Sequence, residues 1–222
     1  MIFEIISVFK KNGFLITLKF IKEIILFDII NKTDTGKMLS KENYKYKPGN
    51  FVSGVSYMAS WTSEIKFTFY YLKKFLNIDF SNYEFIDVGS GKGKVLCVWG
   101  MLLKKNSIKQ NIYGIEYYSP LIDICKNNIK KFEFQTSIEI ISEDIANIDF
   151  NIFEEKLILF LYNPFEINIL DNLCKKINYK KQIIIIYVNP LHKDQILKRN
   201  YSELFFKKGV HYNDTISILM KS

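Results

Sequence analysis

Phe85-Ile-Asp87-Val-Gly89-Ser90-Gly91-Lys-Gly93-Lys94 places three glycines at alternate positions, the first of them two residues after an acid. Glycine lets a backbone turn sharply and approach a ligand closely, and the free N–H groups of a following helix terminus then face that ligand. The spacing excludes two kinds of nucleotide site. A P-loop ends in Gly-Lys-Ser/Thr, but Val95 follows Gly93-Lys94, and Val88 holds the place of its first glycine. A dinucleotide fingerprint needs a small residue at its sixth position, where Lys94 or Leu96 stands. What fits is acidic-x-Gly-x-Gly-x-Gly. An acid there suits a ligand with a cationic end better than a phosphate.

Three further stretches fall at expected strand ends. Ile112-Tyr-Gly-Ile-Glu116 closes on a carboxylate that can accept both hydrogen bonds of a ribose diol, and Tyr117 can lie against a base. As a strand-end group, Glu116 is expected to be dispensable for the fold. Ile140-Ile-Ser-Glu143-Asp144-Ile145 closes on acids followed by an apolar residue. Leu157–Tyr162 leads into Asn163-Pro164-Phe165. There an amide oxygen and a proline-fixed carbonyl can accept from an amine, and the ring can steady a cation. The plainer reading of Asn-Pro is a turn. His192 is a candidate general base or simply a surface or cap residue, and His211 falls between the last two strands. Cys97, Cys125 and Cys174 are far apart and form no metal-spaced cluster, so buried reduced thiols and no metal are expected.

These motifs resemble class I S-adenosylmethionine (SAM) methyltransferases, with Asp87-x-Gly89-x-Gly91-x-Gly93 as their first motif. The resemblance implies SAM as cofactor and S-adenosylhomocysteine as product. It implies Asp87, Gly89, Ser90, Gly91 and Gly93 at the cofactor, Glu116 on the ribose and Tyr117 on the adenine. Asp144 would take the adenine amine, with Glu143 one residue away as the alternative, and Ile145 would pack on the ring. The reacting methyl would lie by Asn163, Pro164 and Phe165, the candidate catalytic residues. Asn-Pro-Phe is similar to the Asn/Asp-Pro-Pro-Tyr/Phe of amino-methylating members, with one proline instead of two. A nearer resemblance is to a bacterial group of mostly undefined substrate. It shares Phe-x-Asp-x-Gly-Ser-Gly-Lys-Gly-Arg (Lys94 replaces the Arg), Gly114-Ile-Glu116, Asn163-Pro164-Phe165 and Tyr187-Val-Asn189-Pro190. It reaches upstream to Asp34-Thr35-Gly36 and to Tyr57 and Ser60, covering about residues 28–190. It implies that the Tyr57–Ser60 segment drapes over the methionine end, Tyr57 contacting its carboxylate or sulfonium and Ser60 its carboxylate.

The elements that must position these residues are short apolar runs alternating with helical ones. Strands are expected at Phe85–Val88, Ile112–Glu116, Ile138–Ser142, Leu157–Tyr162, Ile183–Val188, Glu203–Lys208 and Thr215–Met220. Helices fit Gly93–Leu103, Pro120–Phe132, Asn168–Ile177 and His192–Lys198. The expected fold is α/β, a doubly wound, mostly parallel, seven-stranded Rossmann-like sheet with an antiparallel C-terminal hairpin. A helical cap and cofactor-covering loop would occupy residues 1–80 and the sheet 81–222, as one structural unit. Residues 31–60 are polar and irregular, with Pro48-Gly49 and Gly54. In residues 1–30 a break is expected at Asn12-Gly13, and Phe14, Leu18, Ile21, Ile25 and Ile29 form one apolar stripe. That stripe is expected to pack on the domain or a dimer partner; the sharper alternative is a basic helix lying on a membrane surface.

A chain of 222 residues can bury its own core. Its net charge of +8 comes almost wholly from lysine, with Arg199 the single arginine. Arginine forks for phosphate and guanine are missing, which disfavours nucleic acid as a partner. Lys10, Lys11, Lys19, Lys22 and Glu23 interrupt the apolar N-terminal stretch, so neither a signal peptide nor a membrane span is expected, and the cytoplasm is the expected compartment. The function expected is methyl transfer from SAM to an unidentified acceptor, leaning to an amino group, with a protein side chain as one candidate. O-methylation of a small molecule or glycan is the alternative, and a non-catalytic SAM-binding protein is the alternative of another class. A nucleotide-dependent oxidoreductase is disfavoured by the failed fingerprint.

Overall fold

The computed structural model describes residues 2–44, 56–164 and 166–221; Pro48-Gly49, Gly54 and Phe165 lie outside them. Seven strands form one sheet: β1 (Glu84–Val88), β2 (Ile112–Glu116), β3 (Ile138–Ser142), β4 (Lys156–Tyr162), β5 (Gln182–Val188), β6 (Ser202–Lys207) and β7 (Ile216–Lys221). Their order is β3-β2-β1-β4-β5-β7-β6. Strands β1 to β5 run parallel, and β7 lies antiparallel between β5 and β6. The C-terminal pair is the expected hairpin, with the later strand on the inside. The order reverses between β1 and β4, the switch point where ligands of open α/β sheets bind.

The central strands are nearly continuous apolar runs because both faces are covered. On one face Phe85, Ile158, Phe160, Ile184 and Ile186 pack with Trp99 and Leu103 of α4 (Lys94–Lys105) and with Ile65, Phe69 and Leu72 of α3 (Thr62–Lys74). On the other, Ile86, Leu157, Leu159, Ile183 and Ile185 meet Leu170, Leu173 and Ile177 of α6 (Ile167–Ile177). The remaining crossovers carry α5 (Ser119–Ile129), opened by Pro120, and the short α7 (Lys193–Leu197).

The N-terminal cap breaks where the sequence reading expects but packs differently. Helix α1 (Ile2–Phe20) is broken at Gly13, where φ is 78°. A single π turn (Ile21–Ile25) joins it to α2 (Leu26–Asn31). The expected stripe does not face the domain: Phe14 is 63% exposed and Ile29 61%. Thr17, Glu23, Ile24 and Phe27 are buried instead. Polar partners explain the choice. The Glu23 carboxylate accepts the Ser63 N–H at 2.8 Å, and Lys19 pairs with Asp214 at 3.1 Å. A π turn breaks the regular carbonyl ladder. Within it the Glu23 carbonyl accepts from the Thr62 hydroxyl and, at 2.6 Å, from the buried Lys94 ammonium, which also lies 4.1 Å over the Phe27 ring.

Burial lowers the Lys94 pKa to about 8, against the opposing pull of Asp28 and Glu23. At pH 7 the ammonium is charged in both folded and unfolded chains. Above pH 8 the folded chain has lost a proton that the unfolded chain keeps up to about pH 10.4, so Lys94's contribution to stability rises across that window. Urea unfolding at pH 7 and pH 10 should show the native chain gaining at least about 1 kcal/mol relative to Lys94→Met. Parallel profiles for the two proteins would mean that the ammonium is solvated.

Candidate active site

A cleft opens at the C-terminal ends of β1, β2, β4 and β5. Its walls include Gly89 after β1, Glu116, Tyr117 and Leu121 after β2, Tyr162, Asn163 and Pro164 at the end of β4, and Asn189 after β5. Tyr44, Ser56, Tyr57 and Met58 close it from the cap side.

The loop after β1 has the conformation that its glycines permit: φ is 74° at Gly89, 50° at Gly91 and 80° at Gly93. The backbone N–H groups of Gly89 and Ser90 both donate to the Ile115 carbonyl, at 2.9 and 3.0 Å. Close neighbours also exclude side chains here. A Cβ at Gly91 would overlap the Tyr57 ring, and one at Gly93 would overlap the Cys125 thiol.

Glu116 locks this loop to the turn after β2. One carboxylate oxygen accepts the Gly91 N–H at 3.0 Å, and the other accepts those of Tyr117 and Tyr118 at 2.9 Å. A carboxylate has about four acceptor positions, so one remains open rather than the two a ribose diol would use. Glu116 is buried, and burial raises its pKa despite the three bonds. The expectation that it is dispensable for the fold is therefore corrected, because its removal would leave three buried N–H groups without acceptors.

Asp87 is buried and does not line the cleft; its carboxylate has no hydrogen-bond partner among the described residues. Burial, then the neighbouring Glu116 charge, push its pKa well above the usual carboxylate range. The Ser90 hydroxyl is likewise buried without a partner among the described residues.

Tyr57 lies where the sequence reading puts it, over the glycine loop, but its hydroxyl is donated to the Thr35 carbonyl at 2.5 Å. Its ring, not its hydroxyl, is what the structure sets against Gly91. Ser60 is buried and does not line the cleft. Asp34-Thr35-Gly36 wraps the Asp28 carboxylate, which accepts from the N–H groups of Thr35 and Gly36 and from the hydroxyls of Thr33 and Thr35. The cap is then fastened to the loop by Asn128 of α5. Its amide accepts the Asp34 N–H at 2.8 Å and donates to the carbonyls of Asp34 and Lys92, while Lys92 reaches the Asp34 carboxylate at 3.0 Å.

After β3, Asp144 accepts the Ala146 N–H in a turn, and Ile145 is buried. Neither lines the cleft, whereas Tyr117 does, half-buried and with burial raising its pKa to about 12. At β4 the Tyr187 hydroxyl donates to Asn163 Oδ1 at 3.0 Å, and it accepts the His192 backbone N–H. His192 thus meets the motif through its backbone. Asn163 and Asn189, each before a proline, take φ of 35° and 51°. Asn128, Tyr44, Met58 and Asn189 were not picked out as site residues from sequence; only Asn189 carried a signal, in Tyr187-Val-Asn189-Pro190.

Comparison with known proteins follows the same geometry. The solved methyltransferase domain of bacterial CtHen1-CN superposes with a TM-score of 0.50 at 14% identity, over 72% of this chain and 98% of that one. The fold is that of the class I methyltransferases. No protein-family model matches the chain. Ribosomal RNA small subunit methyltransferase G of Prochlorococcus marinus is 26% identical in strain MIT 9312 and 25% in strain MIT 9301, each over 126 residues. The match takes in 57% of this chain and 45% of each relative, so the chain spans about half the length of the curated relatives it matches. The methyltransferase fold accounts for the order of the sheet and for a cleft at the ends of β1, β2 and β4.

Asn128→Ala removes one acceptor and two donors from this junction and strands the Asp34 and Lys92 backbone groups. The expected loss is about 2–4 kcal/mol in urea unfolding, with Asn128→Asp, which keeps the acceptor, falling between. A loss below about 0.5 kcal/mol would mean that the cap holds to the loop without it.

Proposed function

We propose that this chain is a SAM-dependent methyltransferase whose acceptor is an amino group. The observation that carries the cofactor reading is the buried Asp87 carboxyl, whose pKa burial and the Glu116 charge push up, with the partnerless Ser90 hydroxyl at the same glycine loop and the one open acceptor position of Glu116. Those groups fit a ligand with a cationic end and sugar hydroxyls. When bound, SAM supplies a methyl group activated on a sulfonium. Asp87 and the loop from Gly89 to Gly93 would hold its methionine end, beneath the ring of Tyr57 and near Ser60. Glu116 would take a ribose hydroxyl. Tyr117, Asp144 and Ile145 would surround the adenine. These assignments, like the resemblance to the bacterial Asn-Pro-Phe group and a cytoplasmic setting, are part of the proposal.

Asn163 favours an amine acceptor. Its Oδ1 is oriented by Tyr187 and keeps a second lone pair, at a cleft wall shared with Pro164. With Phe165, these residues would align an amine by hydrogen bonding, and alignment is most of what methyl transfer from a sulfonium requires. O-methylation and binding without turnover remain the alternatives. The matched relatives act on ribosomal RNA by name, so RNA belongs in the acceptor screen beside protein and small-molecule extracts, using methyl-labelled SAM and product mass as the readout.

A cationic ligand draws the proton from Asp87, so below the raised pKa of Asp87 binding should release a proton and tighten as pH rises. Calorimetry with SAM should show this, Asp87→Asn should flatten it, and NAD should not bind. Micromolar NAD binding with no response to SAM would overturn the cofactor reading. For the acceptor, Asn163→Ala and Tyr187→Phe should lower turnover while changing SAM affinity by less than about 1 kcal/mol. Unchanged turnover in both variants would leave Asn163-Pro164 as a turn.

A further inference from the structure

The cap turns its apolar stripe away from the protein. Phe9, Phe14, Leu15, Leu18, Ile29 and Ile30 are each about half exposed or more, Leu15 at 79%. A run of exposed large apolar side chains along two helices is more than the scatter of single residues found on ordinary surfaces. The exposed charges of described residues 5–40 are mostly lysine. Lys10, Lys11, Lys22, Lys32 and Lys37 are exposed. The carboxylates of described residues 5–40 are engaged elsewhere: Glu23 is buried on Ser63, Asp28 is wrapped by residues 33–36, and Asp34 pairs with Lys92.

We propose that this face binds an anionic lipid surface, with the apolar stripe in the headgroup boundary and the lysines among the lipid phosphates. The charge pattern selects this occupant. A second copy meeting the same face would set lysine against lysine, offset only by the half-exposed Asp34, which Lys92 already pairs. A nucleic acid backbone would satisfy the lysines but leave the stripe uncovered. Among the described residues no helix is long and apolar enough to cross a membrane, so the contact is with the surface. Lysine stems can lie along the apolar face while their ammonium groups reach the phosphates.

The test is flotation of the full chain with phosphatidylcholine vesicles, with and without about one-third phosphatidylglycerol. The chain should float with the mixed vesicles, float less as salt is raised, and stay down with phosphatidylcholine alone. Leu15→Ser with Leu18→Ser should weaken binding by roughly tenfold or more, and so should Lys10→Gln with Lys11→Gln and Lys22→Gln. These side chains are exposed, so melting temperatures should not change; if the serine pair melts early, Ile30→Ser reads the same face. No flotation with the mixed vesicles, or flotation that no variant alters, overturns the proposal. So does a dimer in sedimentation, or binding of an RNA oligonucleotide, that the variants abolish while vesicle binding is absent.

Discussion

The Glu116 carboxylate takes three backbone N–H groups and so joins the loop after β1 to the turn after β2. Both strands reach the same sheet edge because they are parallel neighbours in register, Val88 beside Ile115. The loop can bend toward Glu116 only because three of its residues accept positive φ. The cleft therefore has a floor whose shape is set by one buried acid. Asp87, close enough for the Glu116 charge to raise its pKa, is left buried without a counter-charge. A buried carboxyl in that state costs stability, and a cationic ligand would relieve the cost.

The cap is the second half of the same construction. Tyr57 rests its ring on Gly91 and gives its hydroxyl to Thr35, while Asn128 and Lys92 hold Asp34. Asp34-Thr35-Gly36 looks in sequence like part of a binding motif. In the structure it is the wrapping around Asp28, which ties the end of α2 to the strip that covers the loop. The outer face of that cap is apolar and lysine-rimmed, so one short segment both closes the cleft and presents a surface.

Much of this was legible in the sequence. Strands β2 and β3 match their expected bounds, β1, β4 and β5 start one residue earlier, and β6 and β7 are shifted by one residue, because continuous apolar runs between helices leave few alternatives. The Gly89–Gly93 loop, Glu116 and Asn163 were legible because their residue types serve special backbone shapes or polar strand ends. The packing of the cap was not. Periodicity marks Phe14, Leu18 and Ile29 as a stripe, and the break at Gly13 was legible, but the π turn and the face that packs go with partners far along the chain, Ser63, Lys94 and Asp214. Asn128 was invisible for the same reason: nothing in Lys-Asn-Asn-Ile announces that one amide will bridge residues 34 and 92. Glu116 was underestimated because its three N–H donors come from backbone, which carries no residue type to read.

The central claim is that this floor, Gly89 to Gly93 locked to Glu116, is built to receive SAM. A crystal structure of the chain with S-adenosylhomocysteine tests it most directly. The account predicts the ligand across the C-terminal ends of β1 and β2, its ammonium within hydrogen-bond distance of the loop or Asp87 and its ribose on Glu116. A ligand bound elsewhere, or a cleft that stays empty at saturating ligand while the loop keeps its geometry, would contradict it.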